Sequence, residues 1–210
     1  MATCELVSGD GTLLRAESLE REDDWVVAVH ELGRDLDSLA LLASLWAEEG
    51  PSLLAVDLRG HGASEGEPDP GSIGGDVAAA CDFARRRGAR HVSLVAVGSS
   101  ATPALHGVGV DPVEAIVLVS PAPATPEEIA VLQDRRAGKL VLYGAHDAAA
   151  AAAAESLRHR CAGWSSTVAF ATADQGTELL LGRWGAHAGE RIRHFVDEQR
   201  HLASLPLRRY

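Results

Sequence analysis

The chain has 210 residues, 46% of them hydrophobic and 23% charged, and its 30 acidic against 19 basic residues give a net charge of -11. Length and apolar content suit one globular domain over residues 1–210 with a full core. The negative balance argues against nucleic acid or an anionic membrane surface as partner, since both select basic faces.

The first residues, MATCELVSGDGT, lack the charged-then-apolar order of a secretory signal, and no apolar run approaches bilayer-spanning length. A cytoplasmic location is the default expectation. Cys4, Cys81 and Cys161 are odd in number and far apart, so they read as reduced thiols and not as a disulfide framework. The nine histidines show no HExxH or comparable ligand spacing, and neither a metal nor another cofactor is assigned.

In chain order, Cys4–Ser8 and Thr12–Ser18, joined by Gly9-Asp10-Gly11, predict an antiparallel hairpin. Apolar runs follow at Trp25–His30, Ser52–Leu58, His91–Val97, Ala115–Ser120, Lys139–Tyr143 and Thr167–Ala171. Their Val, Ile and Leu content suits strands covered on both faces, hence a parallel sheet. Helical patterns lie between them near Leu36–Glu49, Ile73–Arg87, Thr102–His106, Pro126–Arg135, Ala148–His159 and Glu190–Ala203. Thr125 with Glu128 forms a capping-box signature, and Pro126 takes the first helical position. The seven alanines Ala148–Ala154 need no function beyond their high helix propensity. This alternation predicts a three-layer α/β/α sandwich, mostly parallel, with an N-terminal antiparallel hairpin and right-handed crossovers. After Ser120 the chain runs through Pro121–Pro126 into a single helix, leaving no room for a cap domain. Trp46, Trp164 and Trp184 read as packing residues, and the tail Pro206–Tyr210 carries no recognisable chemistry.

Sites in such sheets lie beyond the carboxyl ends of the strands, which directs attention to five loops. These are His30-Glu31-Leu32-Gly33, Asp57–Ser64 (DLRGHGAS), Gly98–Thr102 (GSSAT), Gly144-Ala145-His146-Asp147 and Gln175–Leu180 (QGTELL). In this order and spacing they resemble the α/β-hydrolase superfamily: an HGxG-like oxyanion loop, a D-x-R-G-x-G-x-S loop, a strand–turn–helix nucleophile elbow, a G-x-x-D acid loop and an H-G-[ST]-[DE]-L-L histidine loop. The resemblance extends from the first strand to the last helix and departs from the pattern at three places: Thr102, where Gly is usual two residues after the elbow serine, Glu31 and Gln175.

By that resemblance Ser100 is the nucleophile, Asp147 the acid, and the backbone N–H groups of Leu32 and Ala101 the oxyanion donors. Gln175 stands where the general-base histidine belongs, and an amide has no basic nitrogen with which to take a proton. His187 is the nearest substitute to test. His30 and Glu31 line the site, with Glu31 at a position where Gly is frequent and expected to turn outward. Asp147 reads equally as the N-cap of the alanine-rich helix. Asp57, Arg59 and His61 read as braces of their loop. Two functions follow from the resemblance: an esterase, thioesterase or lactonase-like hydrolase of a small molecule with an incomplete triad, or a non-hydrolytic protein on the same fold that binds a small molecule or partner, or catalyses a cyclisation or elimination.

Overall fold

The computed structural model describes residues 1–108, 113–134, 136–163 and 165–205. Trp164, Arg135 and the tail Pro206–Tyr210 lie outside the described residues.

The N-terminal hairpin pairs β1 (Ala2–Val7) with β2 (Leu13–Leu19), antiparallel, in the register Val7 to Leu13. Six parallel strands follow: β3 (Asp24–Val29), β4 (Ser52–Val56), β5 (His91–Val97), β6 (Ala115–Val119), β7 (Gly138–Gly144) and β8 (Ser165–Phe170). They form one eight-stranded sheet in the order β1-β2-β4-β3-β5-β6-β7-β8, with β2 antiparallel to β4. Every residue of β4 and β6 is buried, as their unbroken apolar sequences require.

Helices α1 (Ala40–Leu45), α5 (Gly176–Leu181) and α6 (Gly185–Ser204) cover one face. Helices α2 (Ile73–Arg86), α3 (Pro126–Val131) and α4 (Ala148–Arg160) cover the other. The predicted three-layer sandwich is the observed one, and no cap domain stands between β6 and β7. Side chains of successive strand residues point to opposite faces, so Val27 and Leu94 serve the first core and Val26 and Val95 the second. The predicted capping box at Thr125 and Glu128 is formed in full.

The pattern over Leu36–Glu49 yields less helix than expected: a 3₁₀ turn at Leu36–Leu39 and then α1, which stops at Leu45. The cause is tertiary. Arg21 reaches across and donates to the carbonyls of Trp46 and Ala47, so these groups serve a side chain instead of a further helical turn.

The loops at the carboxyl edge are held by buried polar groups. Asp57 accepts from the N–H of Leu36 (2.7 Å) and the N–H of Ala63 (2.9 Å), tying together the ends of two loops. Gly62 makes room for that carboxylate: a Cβ there would fall 2.0 Å from Asp57 Oδ2, and its φ of +52° already favours glycine. Arg59 forks onto buried Asp76 and also reaches Asp10 in the hairpin turn. The sequence-based bracing roles of Asp57 and Arg59 match these contacts. Asp57→Ala strands two N–H donors. Leu36 is half-buried and Ala63 exposed, so water meets part of the loss. With a hydrogen bond to a charged group worth about 1.5–3 kcal/mol, the variant is expected to lose roughly 1–3 kcal/mol of stability, read from urea unfolding monitored by tryptophan fluorescence.

Candidate functional site

Strand β5 ends at Val97, and the next residue, Gly98, turns the chain with φ +62°. A 3₁₀ turn over Gly98–Ser100 follows, closed by the Ala101 N–H donating to the Gly98 carbonyl at 3.0 Å. The tip of this strand–turn–helix is therefore Gly98, which tolerates the left-handed conformation without a Cβ penalty. Ser100 is not at the tip. It is 0% exposed, and its hydroxyl is committed to the main-chain carbonyls of His30 (2.5 Å) and Val97 (2.8 Å). The expectation of a nucleophile at Ser100 is corrected on that ground: a fully buried hydroxyl that donates to backbone cannot meet a substrate carbonyl.

The space above Gly98 is occupied. A Cβ on Gly98 would lie 2.4 Å from Glu31 Cδ and Oε1, and a Cβ on Gly176 would lie 2.4 Å from Glu31 Oε2. The Thr177 N–H donates to the same Oε2 at 3.1 Å. Glu31 thus points into the crevice and not outward as its sequence position suggests. Its carboxylate links the loop after β3 to the start of α5, across the tip of the β5 turn.

The oxyanion donors fare similarly. The Leu32 N–H donates to Ser99 Oγ at 3.3 Å, and Ser99, unlike Ser100, is exposed. The Ala101 N–H is spent on the 3₁₀ turn. With the tip at Gly98, the residue that follows it is Ser99, so the pairing of Leu32 with Ala101 is corrected.

Asp147 is the N-cap of α4, where its Oδ1 accepts from the N–H groups of Ala149 and Ala150, both at 3.1 Å. Its carboxylate therefore performs the capping role read from the sequence. The loop that carries it abuts the loop after β8, since the His146 N–H donates to the Thr172 carbonyl. Gln175 occupies the N-cap position of α5, exposed, with no capping bond from its side chain. His187 lies in the first turn of α6, exposed, its ring edge-on to Trp184 at 5.6 Å. It shares no hydrogen bond with Ser100, whose hydroxyl donates to two main-chain carbonyls.

His30 is 0% exposed and is held as the neutral ring. Its Nδ1–H donates to the Glu31 carbonyl (2.8 Å), and its Nε2 accepts from the Leu58 N–H (3.0 Å). Burial pushes its pKa below the ordinary imidazole value. His61 repeats the arrangement, with Nδ1 on the Arg59 carbonyl (2.8 Å) and Nε2 accepting from the Gly33 N–H (2.9 Å). Both rings use both nitrogens on backbone, so each braces a loop.

One feature escaped sequence reading. Ser120, directly after β6, has φ +48° and is the one non-glycine residue with positive φ among the described residues. Val97 and Val119 are register partners, so Gly98 and Ser120 are the next residues on adjacent strands. A left-handed serine costs of the order of 1–2 kcal/mol and sits where strain gathers, at the crevice. No sequence signal marks it beyond the Pro121 that follows.

The fold is that of the α/β-hydrolases. Neither a protein-family model nor a curated protein matches the chain. Solved structures do. The esterase Pf2001 from Pyrococcus furiosus superposes with a TM-score of 0.80 at 14% identity, covering 94% of this chain and 89% of that one. Est1E from Butyrivibrio proteoclasticus, solved with ferulic acid bound, gives 0.78 at 14% identity over 93% and 99%. The esterase EaEST from Exiguobacterium antarcticum gives 0.74 at 16% identity over 93% and 100%. At these identities the likeness is one of fold.

Two measurements test this geometry. Gly98→Ser adds left-handed strain and a side chain in the volume of Glu31, and is expected to cost about 2–4 kcal/mol. Adding Glu31→Ala should recover about 1 kcal/mol or more of that loss as a favourable coupling in a double-mutant cycle. The second concerns pH. Unfolded His30 takes a proton near 6.5, whereas the folded ring resists it because it is buried. Its contribution to stability is therefore complete above that value and is lost as pH falls below it toward the lower folded pKa. Wild type is expected to weaken in urea between about pH 7 and pH 5, with a shallower slope in His30→Gln.

Proposed function

We propose that the chain is a single-domain, cytoplasmic protein that uses the α/β-hydrolase fold to bind a small molecule, without acyl-enzyme chemistry. The observation that carries this reading is the Glu31 carboxylate lying where a side chain on the elbow tip would have to lie, over a tip residue that is glycine. Gln175 at the histidine position supports it independently. Ester hydrolysis on this fold needs a hydroxyl that can lose its proton to a neighbouring base and then receive an acyl group. Ser100 is sealed, and exposed Ser99 carries its hydroxyl on the Leu32 N–H with no histidine partner among the described residues.

A biotinylated fluorophosphonate tests the reading. The wild-type protein is expected to stay unlabelled under conditions that label an active esterase, and p-nitrophenyl acetate turnover is expected to be the same in wild type, Ser99→Ala and Ser120→Ala. A label mapped by mass spectrometry to any serine of the crevice, with turnover lost in the matching variant, overturns it.

A further inference from the structure

Beside Glu31 the structure opens a groove of about 340 Å³ lined by Arg34, Asp174, Thr177, Glu178, Leu181 and Gly182. It shares Thr177 with the carboxylate site, since the Thr177 N–H holds Glu31. The groove carries both signs of charge, yet none of Arg34, Asp174 and Glu178 forms an ion pair among the described residues. Opposite charges on one groove that do not meet leave a gap that a dipolar molecule fills better than either charge alone.

The groove has further features of a built site. Thr177 is 2% exposed and lines the groove at its join with the Glu31 site, its N–H being held by that carboxylate. Gly182 must lack a side chain: a Cβ there would come within 2.6 Å of the Glu178 carbonyl and 3.1 Å of Asp174 Oδ2. Leu181 is 59% exposed at the end of α5 and supplies an apolar wall that the fold itself does not bury.

We propose that this groove binds a small zwitterion with an apolar side chain, an α-amino acid or close analogue. Its carboxylate pairs with Arg34, its ammonium with Asp174 and Glu178, and its side chain lies along Leu181. The proposal rests on the non-hydrolytic reading of the adjoining crevice. A ligand with one charge is disfavoured at the other end: an amine meets Arg34, and a carboxylate meets the acidic pair. Because acidic groups predominate, the amine is the weaker loser of the two.

The test is an amide-resonance NMR titration of the full chain with L-leucine, isopentylamine and isocaproate at millimolar concentrations. The last two are leucine without its carboxylate and without its amine. Leucine is expected to shift the resonances of Thr177, Leu181 and Gly182, and to bind roughly fivefold more tightly than isopentylamine, with isocaproate weakest. Arg34→Gln should remove the advantage of leucine over isopentylamine, and Glu178→Gln should weaken both. These side chains are exposed, so both variants are expected to fold, and the spectrum itself reports whether they do. Equal affinity for leucine and isopentylamine, unchanged leucine affinity in Arg34→Gln, or no shifts with any probe would overturn the zwitterion site. Those outcomes leave the non-hydrolytic reading intact, because that reading falls only on fluorophosphonate labelling.

Discussion

The carboxylate of Glu31, seated between Gly98 and Gly176 and held by the Thr177 N–H, is the contact on which the arrangement of the crevice depends. One volume cannot hold both this group and a side chain on the elbow tip. Once the carboxylate is there, residue 98 must lack a Cβ, and so must residue 176, whose own φ of +45° also favours glycine. The bond it makes is charge-assisted, of a kind worth about 1.5–3 kcal/mol when the partner is ionised. It joins the loop after β3 to the start of α5, and the carboxylate packs over the turn after β5 between them.

The scaffold around that contact is rigid for reasons that have nothing to do with reactivity. Asp57, His30 and His61 tie the loops after β3 and β4 to each other through backbone N–H and carbonyl groups. Arg59, bound by Asp76 and Asp10, fastens the same region to α2 and to the hairpin. Breaking a buried pair of the Arg59–Asp76 type costs about 3–5 kcal/mol, since the surviving charge is left without a partner. Such braces serve an esterase and a binding protein equally well. The fold shared with solved esterases therefore sets where a ligand would lie, while the few residues at the strand ends decide what happens to it.

The sequence made the architecture legible because strand burial leaves a direct trace. Fully apolar runs such as LLAV and AIVLV are required where both faces are covered, and the strands over His91–Val97 and Ala115–Val119 lie within a residue of their expected bounds. The site was legible in part. The amide at Gln175 is plain in the sequence, and the structure puts it at the N-cap position of α5. The serine that the resemblance marks, Ser100, lies two residues past the tip, because the apolar run ends at Val97 and places Gly98 at the turn. The inward direction of Glu31 and the left-handed Ser120 depend on neighbours from distant strands, and no local pattern encodes them. The early stop of α1 has the same origin, in the reach of Arg21.

Proton inventory carries the chemical argument one step further. His30 donates from one nitrogen and accepts with the other, so a proton can enter only by breaking the bond from Leu58. Ser100 spends its proton on backbone carbonyls, and Gln175 has no basic nitrogen to accept one. That leaves Glu31, a group able to accept a proton, but its Oε2 is bound to Thr177 and it has no hydrogen bond to the exposed hydroxyl of Ser99. A hydroxyl becomes a nucleophile only when a neighbouring base takes its proton. At the crevice stand the Glu31 carboxylate, held by the Thr177 N–H, and the exposed Ser99 hydroxyl, which accepts from the Leu32 N–H. In the proposed binding role these fixed groups would orient a molecule at the mouth of the sheet.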